Sequence, residues 1–217
     1  MRTTGPRPAP RQERSRQARQ RILAAAMAEL QRCPFEELSL RRVAQRAKVA
    51  LSSFYNLYPA KAALLPDLYE HHRADLADRL AALLEPDQWR DADLATLVEG
   101  IVTRLVRMHR EQRGLLRALV LRAHGRPESE AISQPKDMRD VVPAIAALVA
   151  TRADGIRRRP AAAAAATGFV AVLAFVRECV LFPRTTAHVL ALDDERLAAD
   201  ASALWLAFLD TPTARQR

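Results

Sequence analysis

The chain has 217 residues, 49% of them hydrophobic and 27% charged, with a formal net charge of +9. That is ample apolar material for a core, so disorder throughout is excluded. Gly is scarce, Ala, Leu and Arg dominate, and no alternating Val, Ile and Thr runs recur, which argues against a strand-rich chain and for an all-α fold of about nine helices.

The charge is unevenly placed. Residues 1–61 hold 13 Lys/Arg against four Glu, whereas residues 62–217 hold 21 of each sign, so the whole excess lies in the first quarter. A near-neutral body with a basic end suits phosphate binding, in which released counterions supply sequence-independent affinity. Arg is abundant everywhere (31 Arg, three Lys), but a general bias would have spread the excess evenly. Cys33 and Cys179 lie far apart and without metal-ligand spacing. No disulfide framework, metal site or cofactor is expected, and a cytoplasmic setting fits. The N-terminus has no apolar signal core, and the longest uncharged run, 161–176, has 16 residues. A membrane span needs about 20, so neither secretion nor a membrane partner is expected.

Residues 1–12, with three Pro and one Gly, read as a disordered basic arm. Ile22, Leu23, Ala26, Met27 and Leu30 then recur at helical spacing, predicting a first helix over 14–32 that Pro34 ends. Ser39 precedes Leu40, Val43, Ala44 and Ala47, a capped second helix of about two turns. Val49, Phe54 and Tyr58 mark a third, short helix, broken by Pro59. Two short helices across a tight turn form a helix-turn-helix candidate over 39–58. A long fourth helix from Ala60 carries Leu64, Leu68, Leu76, Leu80, Leu83 and Leu84 as its buried stripe. Five more helices follow at about 91–110, 113–125, 136–154, 160–182 and 193–210. The last two are the most apolar; "AAAAAATGFVAVLAFV" is small or apolar on every face and needs neighbours all round, within one chain or between two.

Residues 15–70, with "LSLRRVAQRAKVALSSFYNLYPAKAALL" at their centre, resemble the DNA-binding domain of the tetracycline-repressor (TetR) family of bacterial transcription regulators. The family pattern runs small residue, Gly-Val-Ser, variable, small, Thr, apolar, Tyr, then an aromatic and a Lys. Here it reads Ala47, Lys48, Val49, Ala50, Leu51, Ser52, Ser53, Phe54, Tyr55, Tyr58 and Lys61. Lys48 replaces the turn Gly, which often takes a left-handed conformation costing other residues roughly 1 kcal/mol or more, so either the turn carries that strain or its geometry differs. Ala50 replaces a Ser cap, worth about 1 kcal/mol. Leu57 stands where His or Tyr is common, and no DNA contact is carried onto it.

The resemblance implies a homodimer whose N-terminal domain, 13–70, reads a near-palindromic operator in double-stranded DNA, with 71–217 as the regulatory and dimerisation domain. The DNA-facing set it implies is Ser39, Arg41, Arg42, Lys48, Leu51, Ser52, Ser53, Tyr55, Asn56 and Lys61. Ser39 caps the second helix, alone or while also meeting a phosphate. Arg41 is the base reader, bidentate to guanine, and Arg42 a phosphate contact or a solvated charge. Leu51 meets a thymine methyl or joins the core, Asn56 pairs with adenine or a phosphate, Tyr55 holds a phosphate, and Lys61 holds a phosphate or is a solvated surface charge. Phe54 and Tyr58 belong to the core with the first helix.

For the C-terminal part, the resemblance implies an unidentified small-molecule effector in an apolar pocket between helices five to eight. It also implies a four-helix dimer interface made by 160–182 and 193–210. The candidate polar groups for the effector are Arg104, His109, Arg177, Glu178 and Cys179. A dimer salt bridge or a solvent-facing helix end is the plainer reading of Arg177 and Glu178. Gly-rich phosphate loops, metal-ligand clusters and motif-grade nucleophiles are missing from the sequence, so no catalytic residues are expected. The expected function is a ligand-released repressor; the alternatives are a non-specific nucleoid-type DNA binder or scaffold and, further off, an enzyme in the C-terminal bundle.

Overall fold

The computed structural model describes residues 11–124, 136–183 and 192–212, and among these the regular elements are all helical. They are α1 (Arg11–Leu30), α2 (Leu40–Arg46), α3 (Leu51–Leu57), α4 (Leu65–Leu84), α5 (Leu94–Glu111), α6 (Arg113–His124), α7 (Lys136–Ala150), α8 (Ala161–Leu181) and α9 (Asp194–Asp210). The expected arm lies mostly outside the described residues, as do 125–135 and 184–191. Arg11 and Gln12, assigned to the arm on sequence, are already helical.

Two boundaries move for identifiable reasons. α4 begins at Leu65 rather than Ala60, because Lys61–Leu64 form a separate 3-10 turn and Pro66 occupies the first turn of the α-helix, where no backbone donor is needed. α7 ends at Ala150, and a 3-10 turn at Ala153–Gly155 takes the residues expected to extend it.

The chain builds two hydrophobic cores. The head core takes Ile22, Ala26 and Leu30 from α1, Val43 from α2, Phe54 from α3, and Tyr58. Leu64 and Leu68 close it beside α4, and Leu115 of α6 enters from the opposite side. The body core is a helical bundle in which Leu97, Ile101, Val149, Phe169, Val176 and Trp205 are buried. Leu76, Leu80 and Leu83, further along α4, pack against this second core. α4 and α6 therefore each serve both cores.

The α6 junction is very close. A Cβ at Gly114 would lie 2.3 Å from the Leu30 carbonyl oxygen and 2.7 Å from that of Cys33, both backbone atoms at the end of α1. Nearby, Gln112 sits buried in the turn between α5 and α6. Its side chain accepts from His72 Nδ1 and donates to Asp75 Oδ2 at 2.5 Å, two residues one turn apart on α4. His109, also buried, shares a hydrogen bond with the Leu105 carbonyl oxygen at 2.9 Å.

α8 is, among the described residues, the helix long and apolar enough to cross a membrane by length and composition; the helix outruns the uncharged stretch because it continues through Arg177 and Glu178. One face of it packs in the bundle against α5, α7 and α9. The opposite face is open: Ala162, Ala163, Ala171 and Ala174 are exposed and Val170 is 48% exposed, so burial on every side is not met within one chain.

Gly114→Ala should destabilise the fold by about 2 kcal/mol, since backbone carbonyls cannot step aside as a side chain would. In thermal unfolding this is a drop of roughly 4–8 °C for a chain of this size. Burial pushes both buried imidazoles down, His109 to about 4, so each enters the folded state neutral. The unfolded chain takes up a proton near pH 6.5 that folded His109 refuses until about 4. Stability therefore falls as pH is lowered through that window, by about 3 kcal/mol from His109. Urea midpoints measured at pH 7 and pH 4.5 should reveal it, and His109→Gln should flatten the slope.

Candidate nucleic-acid interface and effector cavity

The second and third helices meet across a turn whose geometry follows from hydrogen bonding at the end of α2. Lys48 N–H donates to the Gln45 carbonyl at 3.1 Å and Val49 N–H to the Ala44 carbonyl at 3.0 Å. These two bonds are those of a helix ended by a left-handed residue, and Lys48 has φ of 54°. The strain expected of a Lys at this position is present. The Arg21 guanidinium, reaching across from α1, donates to the Ala47 carbonyl at 3.2 Å. The cap of α3 is also as the sequence implied: Ala50 precedes the helix and makes no side-chain cap bond. Ser39, by contrast, does cap α2, accepting from Arg42 N at 3.4 Å.

Helix α3 is sharply two-sided. Phe54 is fully buried and Tyr58, just past the helix, is nearly so, as expected. On the other side Ser52, Ser53 and Asn56 are exposed, and Leu51 and Tyr55 are the large apolar and aromatic residues left open, at 41% and 45% exposure. Leu51 is therefore not a core residue. Arg41, exposed on α2, lines a shallow concavity with Gln45, Val49 and Leu51, and no ion pair occupies it among the described residues. Arg42 and Arg46 lean on Glu29 of α1 at 3.7 and 3.5 Å, which ties α2 to α1. Lys48 is exposed at the turn. Lys61 is half-buried in the 3-10 turn, its ammonium donating to the Glu36 carbonyl at 2.6 Å and lying 5.9 Å from the centre of the Phe35 ring.

The exposed face of α3 is anchored from behind by a cluster that the sequence did not reveal. Tyr58 Oη donates to Asp67 Oδ2 at 2.6 Å, Arg19 pairs with the same oxygen at 3.1 Å, and its guanidinium stacks over the Tyr58 ring at 5.6 Å. Burial, with the adjacent carboxylate, holds the Tyr58 phenol well above its ordinary range, so it acts as a donor at all ordinary pH. α1, the end of α3 and the start of α4 are thereby locked at one point.

Residues 22–68, which hold all of this arrangement except Arg19 and Arg21, match the family model for the tetR family of bacterial regulatory proteins. Over that stretch the chain is similar to this family. The fold of the whole chain is shared with tetR-type regulators of known structure. A transcriptional regulator from Cytophaga hutchinsonii is 15% identical with a TM-score of 0.61, over 88% of this chain and 97% of that one. A tetR-family regulator from Mesorhizobium loti is 17% identical with a TM-score of 0.60, over 90% and 96%. RolR, solved in complex with resorcinol, is 18% identical with a TM-score of 0.53, over 92% and 90%. Comparison with curated proteins gives no sequence match.

Beyond residues 22–68, a cavity of about 180 Å³ lies among α4, α5, α7 and α8. Leu80, Ile101, Leu105, Met108, Ile145 and Phe169 form its apolar walls, and Arg79, Arg104 and Arg107 also line it. Of the polar residues singled out on sequence for an effector, Arg104 alone lines this cavity. His109 is buried outside it, with its ring nitrogen on the Leu105 carbonyl. Arg177, Glu178 and Cys179 are half-buried about two turns beyond Phe169, the residue through which α8 reaches the cavity. The alternation of Leu76, Leu80 and Leu83 on α4 with Ile101, Leu105 and Met108 on α5 was the available signal for the cavity, but apolar stripes of that kind mark any helix packing.

Lys48→Gly should stabilise the protein by about 1 kcal/mol by relieving the left-handed strain. Ala50→Ser should add about 1 kcal/mol by giving the first amides of α3 an acceptor. Both are measurable as shifts of the urea midpoint without a change in slope.

Proposed function

We propose that the chain is a homodimeric, sequence-specific DNA-binding regulator, a repressor that a small-molecule effector releases from a near-palindromic operator. The observation that carries this reading is the outer face of α3. It leaves Leu51, Ser52, Ser53, Tyr55 and Asn56 open beside an uncommitted Arg41, while Phe54 fastens the helix from the other side. A short helix held this way fits the major groove. Arg41 then reads guanine, Leu51 a thymine methyl, and Tyr55, Arg42 and Lys48 the phosphates. Lys61 keeps two donors for a phosphate beside its bond to Glu36. The amides of α2 beside Ser39 face the same backbone. In this reading residues 13–70 contact DNA, 71–217 respond to the effector and dimerise, and the cytoplasm is where the protein meets its operator.

Seven residues of α3 read only a few base pairs, so useful specificity needs two copies about one helical turn apart. The open face of α8 supports a dimer: alanines and Val170 are exposed there, and α9, which packs against α8, leaves Leu204 56% exposed and Ala207 exposed. Two such pairs from two copies make a four-helix contact. The effector reading draws on the cavity beside α4 and on the resorcinol complex of RolR, whose fold is shared.

Fluorescence anisotropy on DNA flanking the gene should give binding at least a hundredfold tighter than to random DNA at equal salt. Arg41→Ala should cost roughly 1–3 kcal/mol, concentrated at one base position of each half-site. Equal loss on all sequences would remove Arg41 as a base reader, and equal affinity for random DNA would leave a non-specific binder. Light scattering at micromolar concentration should give twice the chain mass; a monomer would sink the α8–α9 contact.

A further inference from the structure

The cavity walls are apolar and its charge is of one sign. Among the described residues no Asp or Glu lines it, while three Arg do, Arg79, Arg104 and Arg107. The apolar walls lie deep: Ile101, Leu105, Ile145 and Phe169 are buried, whereas Arg104 and Arg107 are exposed. The cations therefore stand at the mouth.

The three are not equally available. Arg79 is held by Asp75 at 2.7 Å and by Glu111 at 2.9 Å. Arg107 has only a 4.0 Å approach to Glu111, the carboxylate already engaged by Arg79. Arg104 meets neutral acceptors alone, donating to the Gly100 carbonyl at 3.1 Å and to Gln88 Oε1 at 2.9 Å. Its guanidinium carbon lies over the Trp89 ring, 4.8 Å from the ring centre, which helps to fix its position. Arg104 and Arg107 are one turn apart on α5, where like charges repel unless an anion lies between them. Buried apolar walls under a positive mouth match one kind of molecule. The tail leaves water for the walls while the head stays at the rim.

We propose that this cavity binds a small apolar anion, a single-ring or medium-chain carboxylate, with Arg104 and Arg107 as its counter-charges. At about 180 Å³ the space is below the roughly 300–1,000 Å³ of most ligand sites, so multi-ring or long-chain occupants do not fit it. The site's regulatory role rests on the effector reading above, but its anion preference does not. The walls include Leu80 and Leu83 of α4, the helix that also serves the head core, so an occupant touches the element that joins the two parts.

The test uses octanoate, 1-octanol and octylamine, which match in length and differ in charge at pH 7. Each is titrated into the full chain at low salt and followed by tryptophan fluorescence. Trp89 under Arg104 and Trp205, whose ring centre is 5.7 Å from that of Phe169, are the only two tryptophans and both adjoin the site. Octanoate should bind at least tenfold more tightly than octanol, and octylamine most weakly. Added salt should shrink the difference. The Arg104→Gln, Arg107→Gln double variant should bring octanoate down to octanol while leaving octanol binding in place. Leu80→Phe, which fills the cavity from its half-buried edge, should weaken both. Equal affinity for acid and alcohol, preference for the amine, or no saturable binding of any of the three would overturn the proposal. DNA affinity measured with octanoate present separates the two readings. Octanoate that binds without loosening DNA leaves the anion site standing and removes the effector role. Release of DNA by another molecule, with octanoate unbound, removes the anion site alone.

Discussion

Helix α4 has to bury one continuous face in two different cores, and the rest of the architecture depends on that. Its first turns sit beside Leu64 and Leu68 in the head, and its later turns place Leu76, Leu80 and Leu83 against the body. A helix does not bend easily between two close-packed interiors, so a shift at one end is felt at the other. α6 is the second strut, entering the head core with Leu115 while Leu116 and Val120 pack on the body. Gly114 brings that strut against the carbonyls at the end of α1. The head is thus held at two points, and the buried Gln112 links the two struts through His72 and Asp75.

This arrangement gives the proposed regulation a physical path. The cavity lies against α4 and α5, and the Arg19–Tyr58–Asp67 cluster fixes the start of α4 to the end of α3. An occupant that favours one position of α4 then biases the position of α3. A ligand with equal affinity for both positions would change nothing. The head itself stays internally rigid in this scheme, since Glu29 binds α2 to α1 and Phe54 binds α3 beneath them.

The helices were legible in the sequence because their apolar residues recur at helical spacing and Pro, Ser and Asp mark their ends. Pro66 is the instructive exception. A Pro in the first turn looks like part of a continuous helix from Ala60, and only the 3-10 turn at Lys61–Leu64 separates the two. The turn was legible in part, because a Lys where the family has Gly leaves a strained left-handed turn or a changed geometry, and Lys48 takes the first. The cavity was not. Arg104 stood out as a charge on an apolar helix, but Arg107 looks like one more surface Arg until α4 and α5 are placed side by side. Arg177 and Glu178 misled for the same reason: interrupting an apolar helix marks a need for partners, not which site supplies them. The Tyr58–Asp67 bond joins residues nine apart across a Pro and a 3-10 turn, and no local pattern announces it.

Selection of bound fragments from a random DNA pool at fixed salt tests the central claim most directly, that α3 and Arg41 form a sequence-reading surface presented by a dimer. The account predicts an enriched near-palindrome whose half-sites lie about one helical turn apart. A pool that binds the protein but emerges with no enriched sequence, its affinity set by salt alone, would contradict it.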